Sequence, residues 1–124
     1  MSFCTAINCM DGRTQLPVNE YLRRQLDVDY VDTITEAGPV RILAEQQDSQ
    51  TAKSILERIN ISVNKHGSKT IAIVAHHDCA GNPVDKDKQL SQLKTATQWL
   101  SRKYPDVKVI GLWVDLNWDA RVVY

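Results

Sequence analysis

Two short clusters in this chain carry groups able to bind a metal and polarise a substrate: Cys9-Met10-Asp11-Gly12-Arg13 and His76-His77-Asp78-Cys79. Each directly follows a run that reads as a buried strand. Cys9, His76 and Cys79 form a Cys2His set, the soft sulfur and nitrogen donors that zinc prefers, and three protein ligands leave a fourth position open, as in catalytic zinc sites. The H-x-x-C spacing lets one turn reach a single ion from both ends, and it favours His76 over the neighbouring His77 as the nitrogen ligand. Water in an open fourth position can be brought to a pKa of about 7, which makes hydroxide available as a nucleophile at neutral pH. Zinc binding displaces thiol protons, so affinity is expected to fall in acid.

Asp11 and Arg13 bring further chemistry. Residues two apart on an extended segment point the same way, so the guanidinium is expected to hold the carboxylate in a bidentate pair. The residues alone leave two uses for that carboxylate open. It can accept a hydrogen bond from metal-bound water and orient its lone pair, or it can bind the zinc and close the site. Arg13 biases that choice by competing for Asp11. His77 is expected to face solvent, where an imidazole can carry protons. Asp78 is read as an acceptor of backbone hydrogen bonds in its turn, and Cys4 as a small core residue, since free cysteine is among the most buried types.

Cys9 and Cys79 are far apart in sequence, so a shared site depends on the elements between them. Phe3 to Cys9 reads as a strand, followed by a helix with Pro17 in its first turn and Val18, Tyr21, Leu22 and Leu26 on one side. Tyr30 to Thr35, rich in Val, Ile and Thr, reads as the second strand, closed by Ala37-Gly38-Pro39. A longer helix then carries Ala52, Ile55, Leu56, Ile59 and Val63 at helical spacing and stops near Gly67, with His66 assigned no role beyond the helix end. Lys69 to Ala75 is the clearest strand, its apolar run from Ile71 to Ala75 fitting a central parallel strand covered on both faces. A helix from about Asp85 to Tyr104, a strand over Val107 to Asp115 and an edge strand over Ala120 to Tyr124 complete the chain. This alternation predicts an α/β fold with a mostly parallel sheet in the order 2-1-3-4, an antiparallel edge strand and flanking helices. Ligands bind such sheets beyond the carboxyl ends of the strands, where strand order reverses. The first and third strands flank that point, and each ends at one of the two clusters.

The 124-residue length predicts one domain over residues 1–124. Fifteen basic residues balance fifteen acidic ones with no long block of either sign, which argues against nucleic acid or an anionic membrane as the main partner. No apolar run approaches the roughly 20 residues of a membrane span and no basic-then-apolar leader opens the chain, so the expected location is cytoplasmic. Three cysteines are too few and too scattered for a disulfide scaffold, and reduced thiols suit metal binding or catalysis better. Neither a G-x-G-x-x-G nor a Walker pattern is present, although Gly81-Asn82-Pro83 and Gly38-Pro39 offer backbone donors for an anion. Trp113 and Trp118 are read as core packing or as cover for an oligomer interface, where aromatics are enriched.

The pair C-x-D-x-R and H-x-x-C resembles the β-class carbonic anhydrases. Thr35-Glu36-Ala37-Gly38-Pro39 stands where that family has an Arg-Asn-Ala-Gly-Asn stretch, and Gly111-Leu112-Trp113-Val114-Asp115 is similar to its final-strand pattern of glycine, aromatic and aspartate. The resemblance covers nearly the whole chain in the family's order, although the chain is shorter than usual members. The stretch after the second strand lacks the family's arginine and ends in Pro39, and Ala80 stands where a glycine commonly follows the second cysteine. The resemblance implies one Zn2+ held by Cys9, His76 and Cys79, with Asp11 and Arg13 as a catalytic dyad. It implies reversible hydration of carbon dioxide to bicarbonate by a zinc-bound hydroxide, in a homodimer or higher homo-oligomer with the site near the interface. Relatives acting on carbonyl sulfide or carbon disulfide share the ligand set. The remaining alternatives are a non-catalytic closed zinc site with Asp11 as fourth ligand, and a redox dithiol of Cys9 with Cys79.

Overall fold

The computed structural model describes residues 1–124. Five strands form one sheet in the order β2-β1-β3-β4-β5: β1 (Phe3–Cys9), β2 (Tyr30–Glu36), β3 (Thr70–His76), β4 (Lys108–Val114) and β5 (Ala120–Val122). The first four are parallel to their neighbours, and β5 pairs back onto β4 antiparallel. The predicted order and edge strand are both observed.

Strand parity decides what each face buries, because successive side chains point to opposite sides. Cys4, Ala6, Ala72, Val74, Ile110, Leu112 and Val114 face α1 (Gln15–Leu26), which contributes Val18 and Leu22. Ile7, Ile71, Ile73, Ala75 and Trp113 face the opposite layer, made of α2 (Pro39–Glu45), α3 (Gln50–Asn64) and α4 (Lys86–Lys103). The run Ile71–Ala75 is buried throughout, as a strand covered on both faces must be. Ser49 caps α3 by accepting from the Ala52 amide at 3.1 Å, and Asp85 caps α4 by accepting from the Lys88 amide at 2.8 Å.

α1 follows β1 on one face, whereas α4 follows β3 on the other. The chain therefore leaves β1 and β3 in opposite directions, and a crevice opens beyond their carboxyl ends. β1 and β3 are held side by side by the register Thr5↔Ile71, Ala6↔Ala72 and Ile7↔Ile73. Both strand ends are tied down on their outer sides. The Met10 amide donates to the Glu36 carbonyl at 2.8 Å, and the His77 amide donates to the Val114 carbonyl at 2.9 Å.

One local reading is extended and another is corrected. Ala37-Gly38-Pro39 closes β2 as expected, but Pro39 also opens α2, a first-turn position where its missing N–H costs nothing. Burial of Val40, Ile42 and Leu43 holds this short helix in place. Asp11 and Arg13 are not on an extended segment. Asp11 caps a 3-10 turn at Gly12–Thr14, and its side chain accepts the Arg13 amide.

α1 sets the direction in which the Cys9–Arg13 segment leaves the sheet, and Leu22 is fully buried beneath it. Leu22→Ala should lower unfolding free energy by about 2–5 kcal/mol through lost transfer energy and a residual cavity. Urea denaturation with an unchanged m-value is the check.

Candidate metal centre

Cys9 is the last residue of β1 and His76 the last of β3, while Cys79 lies in the loop three residues further on. Parity puts Cys9 on the face of Ile7 and His76 on the face of Val74. The two side chains thus reach the crevice from opposite sides of the sheet, and Cys79 folds over its end. All three residues are buried, and their donor atoms lie within 4.8 Å of one another.

Three features suit this cluster to a metal ion. The Cys9 and Cys79 sulfurs are 3.9 Å apart, close to the roughly 3.8 Å separating two sulfurs that each lie about 2.3 Å from one tetrahedral zinc. That spacing is far beyond the length of a disulfide, and all three cysteines are free. His76 Nδ1 bonds to the His77 carbonyl at 2.7 Å, which places the proton on Nδ1 and leaves Nε2 with a bare lone pair. His76 Nε2 is fully buried and has no hydrogen-bond partner, a costly arrangement unless something accepts that lone pair.

Neighbouring backbone completes the cradle. The backbones of Gly38 and Asp11 lower the pKa of Cys9, and those of Gly81 and Asn82 act the same way on Cys79. The glycines expected to offer anion donors therefore serve the thiolates. This requires the loop after β2 and the loop after β3 to meet backbone to backbone. A Cβ on Gly38 would sit 2.8 Å from the Gly81 carbonyl, and one on Gly81 would sit 2.6 Å from the Ala37 carbonyl carbon. Gly38 also has a left-handed φ of 62°, which glycine adopts without strain. The Gln89 side-chain amide donates to the His76 carbonyl at 2.8 Å, fixing the backbone that carries the imidazole.

Without a metal the two sulfurs share a proton. The contact between the two sulfurs, in which either can be the donor, holds the Cys9 thiol well below its ordinary pKa against the opposing effect of burial. The same contact, with burial, pushes Cys79 up. Burial opposes charge on His76, but the nearby Cys9 sulfur and the His77 carbonyl outweigh that and raise it. Cys4 is buried in the sheet, as expected, and is pushed up to about 11 by burial and then by Asp32.

The Asp11–Arg13 pair lies beside the cluster. Arg13 Nη2 meets Asp11 Oδ2 at 2.7 Å, Nε meets Oδ1 at 3.0 Å, and the Arg13 amide meets Oδ1 at 2.9 Å. Arg13 also reaches Asp78, with Nη1 3.3 Å from its carboxylate and Nη2 3.1 Å from its carbonyl. Gln15 Nε2 donates to the carbonyls of both Cys9 and Asp11, at 2.7 and 2.8 Å, and pins the loop between them. Side-chain hydrogen bonds from Arg13 bring the Asp11 carboxyl down to about 2. His77 is exposed, as expected, whereas the Asp78 carboxylate pairs with Arg13 and accepts no backbone amide in its turn. Trp113 belongs to the core, whereas Trp118 stands over the Arg13 guanidinium, 4.3 Å from Cζ to the ring centroid.

The family described as "Putative carbonic anhydrase" matches the chain over residues 1–124. The chain belongs to that family. Its fold is that of β-carbonic anhydrases of known structure. The carbonic anhydrase of Streptococcus mutans superposes with a TM-score of 0.61 at 15% identity, covering 97% of this chain and 81% of that one. A carbonic anhydrase from Glaciozyma antarctica gives 0.62 at 14% identity, with the same coverage of 97% and 81%. One of two tetrameric β-carbonic anhydrases from Sordaria macrospora gives 0.66 at 12% identity, covering 97% and 79%. No curated protein matches the chain in sequence. In this member of the family, the Thr35-to-Pro39 stretch carries Glu36, whose carboxylate is paired with Arg58 of α3 at 2.9 Å.

Sequence reading missed Gln15, Gln89 and Trp118, whose roles arise only from tertiary placement. Gly38 and Gly81 carried a signal, as glycines beside the two clusters, but not their partner in each other.

Two outcomes follow from this geometry. Gly81→Ala should force the two loops apart and weaken metal binding about 10- to 100-fold, the usual effect of disturbing groups that support ligands. Competition against a chromophoric chelator measures it. In metal-free reduced protein the Asp11 carboxyl should titrate near 2, below its ordinary 3.8. The pair's contribution to stability is then complete above 3.8 and is lost as pH falls from there through about 2. Carbon-detected NMR should show that midpoint rising toward 3.8 in Arg13→Ala.

Proposed function

We propose that residues 1–124 act as one domain holding a single zinc ion through Cys9, His76 and Cys79, and that it reversibly hydrates carbon dioxide to bicarbonate. The observation that carries this reading is the bare, buried Nε2 of His76 facing two sulfurs at the span of a tetrahedral ion. A zinc ion there supplies Lewis acidity that brings the pKa of a water to about 7.

The chain's own residues do the rest. His76 is fixed in one tautomer by the His77 carbonyl, so Nε2 is always the free nitrogen. Asp11 stays ionised across the physiological range and remains a pure acceptor. It can therefore accept a hydrogen bond from the attacking water and aim that water's lone pair at the carbon of the substrate. Arg13 keeps the carboxylate turned toward itself and out of the ligand set, which leaves the fourth position for water. Hydration of carbon dioxide releases one proton for each bicarbonate formed. His77, exposed beside His76, is placed to pass it to solvent.

The surroundings agree with this reading. Carbon dioxide is small and uncharged, and it needs no built anion pocket. Free cysteines suit a reducing cytoplasmic setting, and no helix is long and apolar enough to cross a membrane. The tetrameric relative from Sordaria macrospora supports a homo-oligomer, for which the exposed Met10, Leu16 and Leu116 offer apolar surface. Carbonyl sulfide or carbon disulfide would call on the same residues. A non-catalytic closed site would need Asp11 released from Arg13.

Purified protein should contain one zinc per chain by mass spectrometry, and Cys79→Ser should lose it. Stopped-flow assays should show hydration, with Asp11→Asn lowering kcat about 100-fold or more while zinc content is kept. Sulfide release without hydration would move the substrate to the sulfur analogues. Undiminished hydration by Asp11→Asn would remove Asp11 from the reaction.

A further inference from the structure

Trp118 lies in the loop between β4 and β5 and has a left-handed φ of 62°. For a bulky side chain that backbone conformation is an outlier which the surroundings must enforce. Here they do. The Asp115 carboxylate accepts the amides of Asn117 and Asp119 at 2.9 and 3.1 Å. The Trp118 amide donates to the Asp115 carbonyl at 2.9 Å, and the Asp115 amide donates to the Asp119 carbonyl at 3.0 Å. Glycine would meet the backbone requirement without strain, so the backbone does not explain an indole at this position.

What the indole touches does explain it. Arg13 spends the edge of its guanidinium on Asp11 and Asp78, leaving only its flat faces free. Trp118 covers one of them, with its ring centroid 4.3 Å from Cζ, inside the range of an attractive cation–π contact. The same ring lies 6.3 Å from the His76 ring and 6.4 Å from the His77 ring, so it bridges the two clusters. Arg13 is otherwise held only along its edge. Its side chain is 47% exposed, and the Asp78 carboxylate it also bonds is 69% exposed. A guanidinium free to tilt toward Asp78 or solvent would release Asp11.

We propose that Trp118 is a positioning residue that clamps Arg13 in plane, so that the Asp11 carboxylate stays bound to Arg13 and does not become the fourth ligand of the metal. The indole keeps the site open without touching substrate. This inference rests on the zinc site described above, and the test separates the two.

The experiment uses protein loaded with cobalt(II), whose visible bands report the ligand set, titrated with azide as a probe of an exchangeable position. Wild type should shift on adding azide. Trp118→Phe, which keeps an aromatic face over Arg13, should shift similarly. Trp118→Gly, which suits the positive φ, should need about two- to fivefold more azide or give no shift, in line with losing a half-exposed cation–π contact. An azide response in Trp118→Gly equal to wild type overturns the role of Trp118 and leaves the open zinc site standing. A wild type silent to azide overturns the open site and this inference with it. NMR of metal-free wild type adds a readout independent of metal and of any variant's folding. The Arg13 Nε–H proton should be displaced upfield by the ring current, and an undisplaced signal overturns the proposal.

Discussion

The parallel pairing of β1 with β3 is the constraint on which the site depends. Only three register pairs join the two strands, ending at Ile7↔Ile73, and beyond them the ladder stops. It stops because the chain leaves β1 toward α1 on one face and leaves β3 toward α4 on the other. Nothing else in a parallel sheet opens a gap of this kind without leaving backbone groups unpaired. The outer neighbours keep the frayed ends in place, through the Glu36 carbonyl on one side and the Val114 carbonyl on the other. A buried Cys9 and a buried His76 thus face each other across a space bounded by well-paired strands.

Packing and electrostatics meet in the two glycine loops. Burying thiolates is expensive unless each gains hydrogen bonds or a cation. Gly38 and Gly81 approach so closely that neither tolerates a Cβ, and their backbones favour the charged form of the nearby sulfurs. In the metal-free protein a hydrogen bond between the two sulfurs also lowers the charge to be buried. A dication between two thiolates would remove the charge deficit altogether. It would also give the lone pair on His76 Nε2 a partner. The same arrangement that is strained without an ion is satisfied by one.

The strand order and the three candidate ligands were legible because they rest on strong local signals. The buried run Ile71–Ala75 has only one comfortable place in a parallel sheet, and Cys9 and His76 end their strands. α2 was not legible: its seven residues are too few for a helical period to register, and Pro39 reads as a stop until it is seen at a helix start. The closeness of Asp11 and Arg13 was expected, but its cause was not. An extended segment and a capped 3-10 turn both bring a residue toward its second neighbour, and only the turn adds the bond from the Arg13 amide. Gln15, Gln89 and Trp118 carry ordinary local signals and gain their roles from what folding places across from them.

Asp11 is where these constraints meet. Its carboxylate has two oxygens and several suitors: the Arg13 fork, the Arg13 amide, an attacking water and a metal two residues away from it along the chain. Each charge-assisted bond contributes only about 1.5–3 kcal/mol, so no single one decides the outcome. Geometry decides it. The capped turn fixes the carboxylate through a backbone amide that cannot leave, and Gln15 holds the loop on both sides of it. The guanidinium is the movable partner, half exposed and offered a second acceptor in Asp78. Whatever restricts that guanidinium therefore restricts the carboxylate. This is why a loop at the far edge of the sheet bears on chemistry at its centre.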